Sequence, residues 1–461
     1  MSVCWPFKCV HFVGIGGIGM SAVAEMVQAL GITVQGSDKV ENDNVKRLYQ
    51  KGMHVFIGQQ AENIEGVDVV VYSTATKDNI EVQTALQKGI IVAHRSEMLA
   101  ELLKLKRSIC VAGTHGKTTT SSLIASILIS ANLNPGFIIG GILNSKQSNA
   151  QMGTGDWVVA EADESDGSFL RLPSTISVVT NIDPEHMDFY KTFDQEKAAF
   201  LTMLNQTAFY GVNVVCLDHP VVRELLPQIK NRPLITYGLN SLADVYADNI
   251  QVVPNGICFD VTATIKGQKH ELKHVCLNMM GEHNVQNALA AIAVALHLGI
   301  APDTIKESLA CFEGIQRRLT LRGTFADAVV YDDYAHHPNE IKATFAAIKP
   351  HVMGRLVAVW QPHRWSRFHD LYFDFLHAFD LADEVIVTDV YAAGEAQKEG
   401  PLPTEFAEKL ALTKPVQFVS FDKLENAMKA LAKADDTFVC LGAGSISAFA
   451  KKLVQEGKNL K

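Results

Sequence analysis

The chain has 461 residues, of which 48% are hydrophobic and 20% charged, and its formal net charge is −9. At roughly 100–200 residues per domain, this length predicts two to four domains. The apolar fraction excludes a largely disordered chain, and the acidic balance argues against a non-specific nucleic-acid binder, because it would repel phosphates.

The cysteine pattern and the apolar runs bear on the cellular compartment. Eight cysteines occur and none forms a C-x-x-C pair, so nothing supports a zinc finger or thioredoxin-type chemistry. We therefore expect scattered reduced thiols, as in cytoplasmic proteins. Residues 1–13 lack the features of a signal peptide, and the most apolar helical stretch, 121–133, is too short and serine-rich to span a bilayer. The sequence predicts a cytoplasmic protein.

The first block, from residue 10 to about residue 106, alternates short apolar runs with amphipathic segments. Strands are predicted at 10–13, 33–35, 67–72 and 90–92, and helices at 21–30, 43–51 and 81–88. This alternation indicates parallel strands joined by crossover helices. The charged run LLKLKR at 102–107 marks the first predicted domain boundary.

Two further blocks follow. The second has predicted strands at 108–112, 157–161 and 175–181, an antiparallel excursion at 245–275 and an alanine-rich helix at 284–298. The third has predicted strands at 328–331, 356–360, 384–388, 416–419 and 437–441. We therefore predict three consecutive α/β domains, with limits 1–106, 107–315 and 316–461.

The first glycine-rich loop follows the strand at 10–13 and opens a helix. Its glycines are Gly14, Gly16, Gly17 and Gly19. They permit a tight turn and a close approach of the backbone to a diphosphate at a helix N-terminus. Asp38 ends the next strand, where an acid would meet a ribose. The pattern favours a diphosphate ligand but does not distinguish NAD from others, and it leaves open that the glycines serve only helix–strand packing.

The second glycine-rich loop, GTHGKTT, lies between the strand at 108–112 and a helix. In such a loop the backbone N–H groups point at phosphate oxygens, the lysine adds a positive charge and the next threonine reaches Mg²⁺. Only two residues separate its glycines where the common P-loop has four, so it differs from GTPase-type loops. The sequence predicts an ATP site formed by Gly113, Thr114, His115, Gly116, Lys117, Thr118 and Thr119.

Acidic residues follow the strand at 157–161. Mg²⁺ bound to ATP needs a carboxylate besides the threonine hydroxyl, and Glu161 is the leading candidate. The next acids, Asp163, Glu164 and Asp166, fit a solvated acidic turn better. Further along, His186 follows another strand in NIDPEHMD. It either ligates a second metal or orients substrate, although a lone histidine is more often structural.

Two polar segments follow strands of the third block, YDDYAHHP at 331–338 and QPHRWSR at 361–367. Arg317 and Arg318 lie near the start of this block. Planar guanidinium groups suit a bidentate grip on a carboxylate or phosphate. One arginine alone is usually a surface residue, but several at strand ends or at a domain junction indicate an anionic ligand.

Together, these motifs resemble those of the Mur ligases. The resemblance rests on GIGGIGMS, GTHGKTT, EADESDGSF, NIDPEHMDFY, GEHNVQNALAA, YDDYAHHP and QPHRWSR, which occur in family order over essentially the whole chain. It implies a Rossmann-like N-terminal domain that binds a UDP-sugar rather than NAD. It also implies a central P-loop ATPase-like domain that binds MgATP, and a Rossmann-like C-terminal domain that binds an amino acid.

The resemblance also implies roles for individual residues. Lys117 and Arg318 would contact the transferred phosphoryl group. Two metal ions, Mg²⁺ or alternatively Mn²⁺, would be held by Thr118, Glu161 and His186. Adenine would contact His283 and Asn284, and the ribose would contact Asp333. The UDP-sugar would be held by the first glycine-rich loop together with Ser21, Asp38, Ser73, Thr74, His94 and Arg95. The amino acid would be held by Tyr334, His336, Arg364 and Arg367.

Within the family, the motifs resemble the branch that joins L-alanine to UDP-N-acetylmuramate through an acyl phosphate, an early step of peptidoglycan precursor synthesis. Several Mur ligases carry a carbamylated lysine after the His-Met-Asp motif. Here Phe200 or Leu201 occupies that position and Lys197 comes too early, so no carbamylated lysine is expected. The expected partners are ATP and the two substrates, without nucleic acid or membrane, in a monomer or weak dimer that closes on its ligands.

Three other interpretations remain open. A related ligase attaches a recycled peptide to the same UDP-sugar, and it would share both glycine-rich loops but differ in the pocket of the third domain. An NAD-dependent oxidoreductase would explain the first loop but leave the second unexplained. A catalytically inactive binding protein is disfavoured because each proposed cation and carboxylate is present.

Overall fold

The computed structural model describes residues 5–254, 256–397 and 399–458. These residues form two compact units. The first comprises the described residues within Met1–Gln251, Cys258–Leu277 and Asn284–Glu313. The second comprises those within Val252–Ile257, Asn278–His283 and Gly314–Lys461. The three domain limits drawn from the sequence remain predictions.

A five-stranded parallel sheet in the order β3-β2-β1-β4-β5 opens the first unit. Its elements are β1 (Cys9–Val13), α1 (Ile18–Ala29), β2 (Thr33–Asp38), α2 (Asp43–Gln50), β3 (His54–Ile57), β4 (Val69–Tyr72), α3 (Ile80–Lys88), β5 (Ile91–His94) and α4 (Arg95–Lys104). Central strands β1 and β4 are almost fully buried, as strands covered on both faces require. Strand β3 is not among the strands predicted from the sequence, and helix α4 extends into the charged run at 102–107 that was predicted to mark a domain boundary.

A ten-stranded sheet in the order β15-β14-β13-β12-β11-β10-β6-β9-β7-β8 follows. Its strands are β6 (Arg107–Ala112), β7 (Gly136–Leu143), β8 (Ser148–Gln151), β9 (Trp157–Glu161), β10 (Ile176–Val179), β11 (Val212–Cys216), β12 (Leu234–Gly238), β13 (Val245–Val253), β14 (Gly256–Ile265) and β15 (Gln268–Leu277). The accompanying helices are α5 (Lys117–Ser130), α6 (Met187–Tyr190), α7 (Phe193–Gln206), α8 (Pro220–Leu225), α9 (Glu282–His297) and α10 (Pro302–Ala310).

The order of strands in this sheet positions the candidate ATP loop. Strand β6 lies between β9 and β10, and both pairings are parallel. The carboxyl ends of the three strands therefore meet at one edge of the sheet, which is where ligands bind in open α/β sheets. The segments that follow Ala112, Glu161 and Val179 are brought together there.

The excursion predicted at 245–275 corresponds to β13, β14 and β15. Strands β14 and β15 are joined by Lys266 and Gly267, whose φ angles of 52° and 75° are those of a type I′ hairpin turn. A disulfide joins Cys258 in β14 to Cys276 in β15. At this pair the structure differs from the expectation of reduced thiols, because cross-strand pairing of the hairpin brings the two side chains within bonding distance.

A six-stranded sheet in the order β16-β17-β21-β18-β19-β20 forms the centre of the second unit. Its strands are β16 (Thr320–Phe325), β17 (Ala328–Asp333), β18 (Leu356–Trp360), β19 (Glu384–Val387), β20 (Val416–Phe418) and β21 (Thr437–Leu441). Its helices are α11 (Pro338–Ile348), α12 (Trp365–Asp370), α13 (Tyr372–Leu376), α14 (Pro403–Leu410), α15 (Leu424–Leu431) and α16 (Ile446–Lys458). Every pairing is parallel except that of β16 with β17.

An aromatic cluster fixes the end of β18, where the QPHRWSR segment begins. Trp360 is fully buried, and its ring centroid lies 4.7 Å from that of Phe375 and 5.2 Å from those of Phe379 and Phe406. Such packing of large rings dominates core energetics and holds the strand end rigidly.

Among the described residues, no helix is long and apolar enough to cross a membrane.

Candidate active site

The GTHGKTT loop connects β6 to α5, and two of its positions admit only glycine. Gly113 and Gly116 have φ angles of 131° and 85°, which side-chain-bearing residues rarely adopt. A Cβ atom on Gly116 would lie 2.5 Å from the side-chain oxygen of Asn287, and one on Gly113 would lie 2.1 Å from the hydroxyl of Thr180. The loop is therefore packed tightly against its neighbours.

Lys117 is the central cation of this loop. Its Nζ atom donates to the carbonyl oxygens of Gly113 and Thr114, at 2.5 and 3.0 Å, and to Oε1 of Glu164 at 2.8 Å. Burial opposes the charge of Lys117, but Glu164 and Glu161 outweigh that effect and raise its pKa. The lysine is therefore charged and held at the start of α5.

Glu161, at the end of β9, lies where the sequence predicted a metal ligand. The hydroxyl of Thr118 donates to its Oε2 atom at 2.9 Å, and the backbone N–H of Gly140 donates to the same atom at 2.7 Å. A Cβ atom on Gly140 would lie 2.7 Å from Oε1 of Glu161, so only glycine leaves room for this carboxylate. A hydroxyl beside a carboxylate supplies the hard oxygen ligands that Mg²⁺ prefers.

Glu164 corrects one expectation. It was assigned to a solvated turn, yet its side chain is only 1% exposed and forms the ion pair with Lys117. Burial raises the pKa of Glu164 above its ordinary value, and Lys117 opposes this shift. Nε2 of His186 lies 3.9 Å from Oε1 of Glu164 and 3.8 Å from Oε2 of Glu185. These three side chains form a group able to hold a metal ion.

The histidine is presented by an unusual backbone conformation. His186 has a φ angle of 57° and immediately precedes α6. The hydroxyl of Tyr190, at the end of the same short helix, donates to the carbonyl oxygen of Glu164 at 2.6 Å. This contact fixes α6 against the acidic segment, so the imidazole of His186 is brought to the same place as Lys117 and Glu164.

The remaining predicted ATP-loop residues have structural partners. The backbone N–H of His115 donates to Oδ1 of Asn181 at 2.7 Å, and the His115 ring lies 3.6 Å from Asp183. Thr114 exchanges hydrogen bonds with the backbone of Asp183. Thr119 is buried in the first turn of α5. These contacts join the loop to the segment after β10.

The first glycine-rich loop is braced by Asp38. Oδ2 of this carboxylate accepts the N–H of Gly16 at 2.8 Å, and a Cβ atom on Gly16 would lie 2.7 Å from the same oxygen. On the other side, a Cβ atom on Gly19 would lie 2.6 Å from a guanidinium nitrogen of Arg95. Arg95 therefore places a positive charge at the N-terminal turn of α1, which suits an anion. Gly14 and Gly17 complete the turn through a hydrogen bond of 3.1 Å.

The other predicted UDP-sugar residues differ in accessibility. Ser21 is fully buried and its hydroxyl donates to the carbonyl oxygen of Ile18, so the structure does not present it at the loop surface. Thr74 donates to Oδ2 of Asp166 at 2.9 Å and lies 3.2 Å from Nε2 of His94. Burial lowers the pKa of His94. Ser73 caps the short turn that carries Thr74. Asp166 therefore accepts a hydrogen bond from Thr74, whereas the sequence had indicated a solvated acidic turn.

In the second unit, Asp333 organises the turn that carries Arg318. Its carboxylate accepts the N–H of Leu319 at 2.6 Å and that of Ala335 at 2.7 Å. Burial raises the pKa of Asp333 to about 6, although Arg318 opposes this shift. The Tyr334 ring lies under the Arg318 guanidinium, with Cζ 5.4 Å from the ring centroid, and this is a cation–π contact.

The predicted amino-acid residues form one positively charged cluster. The His336 ring lies 5.1 Å from that of Tyr334 and 5.7 Å from that of His363. Nη1 of Arg367 lies 3.1 Å from Nδ1 of His363. Burial, together with His336 and the nearby arginines, lowers the pKa of His363 to about 3, so its neutral ring accepts this hydrogen bond. Arg364 is exposed at the N-cap of α12 with a φ angle of 66°.

Sequence reasoning missed several residues of these groups. Glu164, Asn287 and His363 all lie inside motifs that were recognised, but no role was assigned to them. Asn287 follows Asn284 by one helical turn, and its amide donates to the Asn284 side chain at 3.0 Å and accepts from Thr120 at 3.2 Å. The i, i+3 spacing within GEHNVQNALAA is the signal that would have found it. His283 is exposed in the first turn of α9.

Comparison with known families decides what the chain is related to. Residues 9–107 match the model of the Mur ligase family catalytic domain, residues 111–295 that of the Mur ligase middle domain, and residues 317–444 that of the Mur ligase glutamate ligase domain. The chain belongs to the Mur ligase family.

Individual Mur ligases match over the full length. The chain is 47% identical over 450 residues to the UDP-N-acetylmuramate–L-alanine ligase of Parvibaculum lavamentivorans, covering 96% of this chain and 92% of that protein. The crystal structure of UDP-N-acetylmuramate-alanine ligase from Thermotoga maritima has a TM-score of 0.83 and 29% identity, over 98% of this chain and 99% of the other. A murein peptide ligase from Psychrobacter arcticus has a TM-score of 0.73 and 25% identity over the same shares.

Proposed function

We propose that this Mur ligase uses ATP to join L-alanine to the carboxylate of UDP-N-acetylmuramate and releases ADP and phosphate. The observation that carries the proposal is the arrangement of Lys117, Thr118, Glu161 and His186 at one sheet edge, in a chain 47% identical to a ligase of that name. We place the reaction in the cytoplasm, as an early step of peptidoglycan precursor synthesis, in a monomer or weak dimer.

The chemistry requires activation of the sugar carboxylate. A carboxylate is a poor electrophile because its negative charge repels an attacking amine. Transfer of the γ-phosphoryl group of ATP to it gives an acyl phosphate, whose phosphate is a good leaving group. Charge accumulates on phosphoryl oxygens in this step, so fixed cations supply much of the catalysis. Lys117 is the cation of the ATP loop, and Arg318 is proposed to act on the transferred group.

Glu164 keeps Lys117 in place before the nucleotide binds. The lysine exchanges its contact with this buried carboxylate for contacts with the outer phosphates, and Glu164 then retains the nearby His186 as a partner. Mg²⁺ or Mn²⁺, when bound, neutralises developing phosphoryl charge, and Thr118, Glu161 and His186 have the donor types to hold it. The acidic segment after β9 therefore has two roles: Glu164 positions Lys117, and Glu161 is a proposed metal ligand.

No carbamylated lysine is part of this proposal. Phe200 or Leu201 occupies the position after the His-Met-Asp motif where that residue would be expected, and the side chain of Phe200 is fully buried. Lys197, the nearest lysine, forms ion pairs with Asp194 at 2.9 Å and Glu224 at 3.2 Å on the surface of α7. Its amine is therefore engaged in these ion pairs.

The two substrates are assigned to different sets of cations. The diphosphate of the UDP-sugar is placed at the first glycine-rich loop, where Arg95 adds positive charge beside Gly19. The alanine carboxylate is placed at Arg364 and Arg367, with Tyr334 and His336 shaping the pocket. The alanine amine must lose a proton before it attacks, and either His186 or water accepts it. His283, Asn284 and Asp333 are assigned to the adenosine.

The test is phosphate release by the purified chain with UDP-N-acetylmuramate, ATP and one amine donor at a time. We expect turnover with L-alanine, and the same assay ranks glycine and L-serine against it. The control omits the UDP-sugar and reports any ATP hydrolysis without an acceptor. Turnover with L-alanyl-γ-D-glutamyl-meso-diaminopimelate but not with alanine would identify a peptide-attaching ligase instead and would overturn the proposal.

A further inference from the structure

The β14–β15 hairpin carries a group of side chains that the ligase reaction does not use. Cys258 in β14 and Cys276 in β15 face each other across the strands, and His274 lies two residues before Cys276. We refer to these three residues as the hairpin dithiol site. Cys258 is 6% exposed, Cys276 is half-buried and His274 is exposed, so solvent reaches the site from one side.

A β-bulge brings the three residues together. The two-residue turn pairs Ile265 with Gln268, so an uninterrupted register would place Cys258 opposite Val275. One extra residue in β15 shifts this partner to Cys276. His274 supplies the bulge, because its φ angle of 53° is in the left-handed region. Such conformations in a strand are costly and mark positions where a side chain is redirected.

Asp260 holds the bulge in place. Its Oδ1 atom accepts the backbone N–H of His274 at 2.8 Å, and its Oδ2 atom accepts from Asn249 at 3.0 Å and from Lys273 at 3.2 Å. The alternation of exposed and buried residues in β15 changes at the same point, since Lys273 and His274 are both exposed while Leu272 and Val275 are both buried. The unusual backbone at His274 is thus fixed by hydrogen bonds on the neighbouring strand.

The distances suit a metal ion. Nε2 of His274 lies 3.6 Å from Sγ of Cys276, and the three donor atoms all lie within 4.8 Å of one another. A zinc ion binds thiolate sulfur at about 2.3 Å and imidazole nitrogen at about 2.0 Å, so two such ligands at a tetrahedral angle are about 3.5 Å apart. Reduction of the disulfide separates the sulfurs to a van der Waals contact, close to the spacing of two thiolates on one ion.

We propose that the reduced hairpin dithiol site binds one Zn²⁺ ion through Cys258, Cys276 and His274, with water as the fourth ligand. Two thiolates and one imidazole form a donor set typical of zinc. The site has no sequence signature of the C-x-x-C kind, because its cysteines are eighteen positions apart and only the hairpin pairs them. It lies in a segment to which the ligase reaction assigns no residue.

The disulfide is then the metal-free, oxidised state of the same site. With hydrogen peroxide as oxidant, the zinc-bound dithiolate loses two electrons and forms the S–S bond. Peroxide takes up those electrons with two protons and leaves as two water molecules, and Zn²⁺ is released. A dithiol reductant returns the two electrons and restores the metal-binding form. In a reducing cytoplasm, the zinc-binding state is the one expected to persist.

The experiment titrates the TCEP-reduced, full-length protein with Co²⁺ under argon and in excess Mg²⁺. Thiolate-to-Co²⁺ charge-transfer bands report sulfur ligation specifically, since the group of Glu164, Glu185 and His186 contains no sulfur. We expect one Co²⁺ per chain with these bands, displacement of Co²⁺ by Zn²⁺, and loss of the bands after peroxide treatment. Thiol alkylation followed by mass spectrometry verifies the redox state at each step.

Variants identify the ligands. Cys258→Ser and Cys276→Ser should each abolish the charge-transfer bands, and His274→Ala should weaken binding by more than the about 10–100-fold typical of an outer-sphere partner. The matched controls are Cys311→Ser, which removes an exposed free thiol, and His270→Ala, which removes a histidine from the same strand. Both controls should bind as the parent does, and ligase turnover should be retained in all five variants.

Three results would each overturn the proposal. The first is a fully reduced protein without charge-transfer bands at excess Co²⁺. The second is charge-transfer bands that persist in Cys258→Ser and Cys276→Ser, or that disappear in Cys311→Ser. The third is a disulfide between Cys258 and Cys276 that is not reduced in the native protein by excess reductant. The site would then be a structural disulfide only.

Discussion

The three hydrogen-bond donors of the Lys117 amine all have partners in the structure. Its three donors reach two carbonyl oxygens and the buried carboxylate of Glu164. A charged amine with this much burial is stabilised only by such partners. The same partners orient it at the N-terminus of α5, where a phosphate would also meet backbone N–H groups.

We predict that Lys117→Ala lowers kcat by about 10²–10³-fold, the usual cost of removing one donor to a charge that develops in the transition state. The physical reason is the loss of the fixed positive charge beside the transferred phosphoryl group. Phosphate release under saturating substrates measures kcat, and far-UV circular dichroism verifies that the variant is folded.

Lys106→Ala is the matched control for that prediction. Its amine also donates to backbone carbonyl oxygens, those of Gly153 and Gly155, but it lies before β6 and away from the loop. We expect nearly unchanged kcat in this variant. Full turnover in Lys117→Ala would contradict the role assigned to the loop.

The residues that sequence reasoning recognised are those whose role depends on local motif context. Lys117, Thr118 and Glu161 follow strands in short glycine-rich or acidic segments. In the structure the hydroxyl of Thr118 donates to Glu161, and Lys117 pairs with Glu164 of the same acidic segment. Glu164 was not recognised, because its burial depends on Lys117 and on α6, which are distant in sequence. The pairing of Cys258 with Cys276 could likewise not be predicted from the spacing of the cysteines, because it depends on how the two strands of the hairpin are aligned.

At the scale of elements, strand β7 positions the carboxylate of Glu161, the proposed metal ligand. Gly140 donates its N–H to Glu161 and leaves no room for a Cβ atom, which would lie 2.7 Å from the carboxylate. Substitution by alanine must therefore shift the Glu161 carboxylate from the position in which it accepts from Thr118. The change acts on a proposed metal ligand without altering any ligand atom.

We predict that Gly140→Ala raises the Mg²⁺ concentration needed for half-maximal activity by about 10–100-fold, as expected when the support of a metal ligand is disturbed. Excess Mg²⁺ should restore most of kcat. The control Ile142→Val lies two positions along the same strand and should leave the Mg²⁺ requirement unchanged. An unaltered Mg²⁺ dependence in Gly140→Ala would argue against Glu161 as a ligand.

Helix α7 carries a carboxyl group whose ionisation opposes folding. Glu196 is fully buried, and burial raises its pKa from 4.5 to about 8. The folded state therefore binds this proton more tightly than the unfolded state does. Its stabilising effect is present below the unfolded pKa near 4.5 and is lost as the pH rises through about 8.

We predict that Glu196→Gln, which cannot ionise, gains stability relative to the parent as the pH is raised from 5 to 8. Each unit of pKa difference corresponds to about 1.4 kcal/mol at full effect. Urea unfolding in EDTA at a series of pH values measures this change without competition from metals. Glu224→Gln, an exposed carboxylate near the same helix, should show little trend. Equal pH profiles for the parent and Glu196→Gln would show that Glu196 ionises normally.

The alternation of strands and helices was predictable because buried parallel strands appear as apolar runs. The limits of β9, β18 and β21 coincide with the predicted strands. The missed β3 is a four-residue strand of which only one residue is buried, so its apolar run is weak. Helix α4 was missed because its charged last turn was interpreted as a boundary, although lysine near a helix C-terminus is favourable.

At the scale of the whole molecule, the proposed binding groups are divided between the two compact units. The ATP loop with Lys117 belongs to the first unit, and the cluster of Arg364, Arg367 and His363 belongs to the second. Each cluster is held by contacts within its own unit, such as Lys117 with Glu164 and Arg367 with His363. A substitution in one cluster should therefore leave the affinity of the other for its own ligand largely intact.

This division makes Arg364 the most informative residue of the second unit. It lies at the exposed N-cap of α12, and its backbone N–H donates to the carbonyl oxygen of Tyr391 at 2.9 Å. Truncating its side chain removes a guanidinium group without removing that backbone contact. A hydrogen bond to a charged group contributes about 1.5–3 kcal/mol, which corresponds to about 10–150-fold in affinity.

We predict that Arg364→Ala raises the KM for L-alanine by about 10–150-fold while the KM for ATP changes little. Initial rates with each substrate varied in turn give both constants, and calorimetric titration with MgADP measures nucleotide affinity independently of turnover. The control Lys429→Ala removes an exposed cation from α15 of the same unit and should alter neither constant. A raised KM for ATP with an unchanged KM for alanine would transfer Arg364 to the nucleotide, and the amino-acid pocket would then have to be sought elsewhere in the second unit.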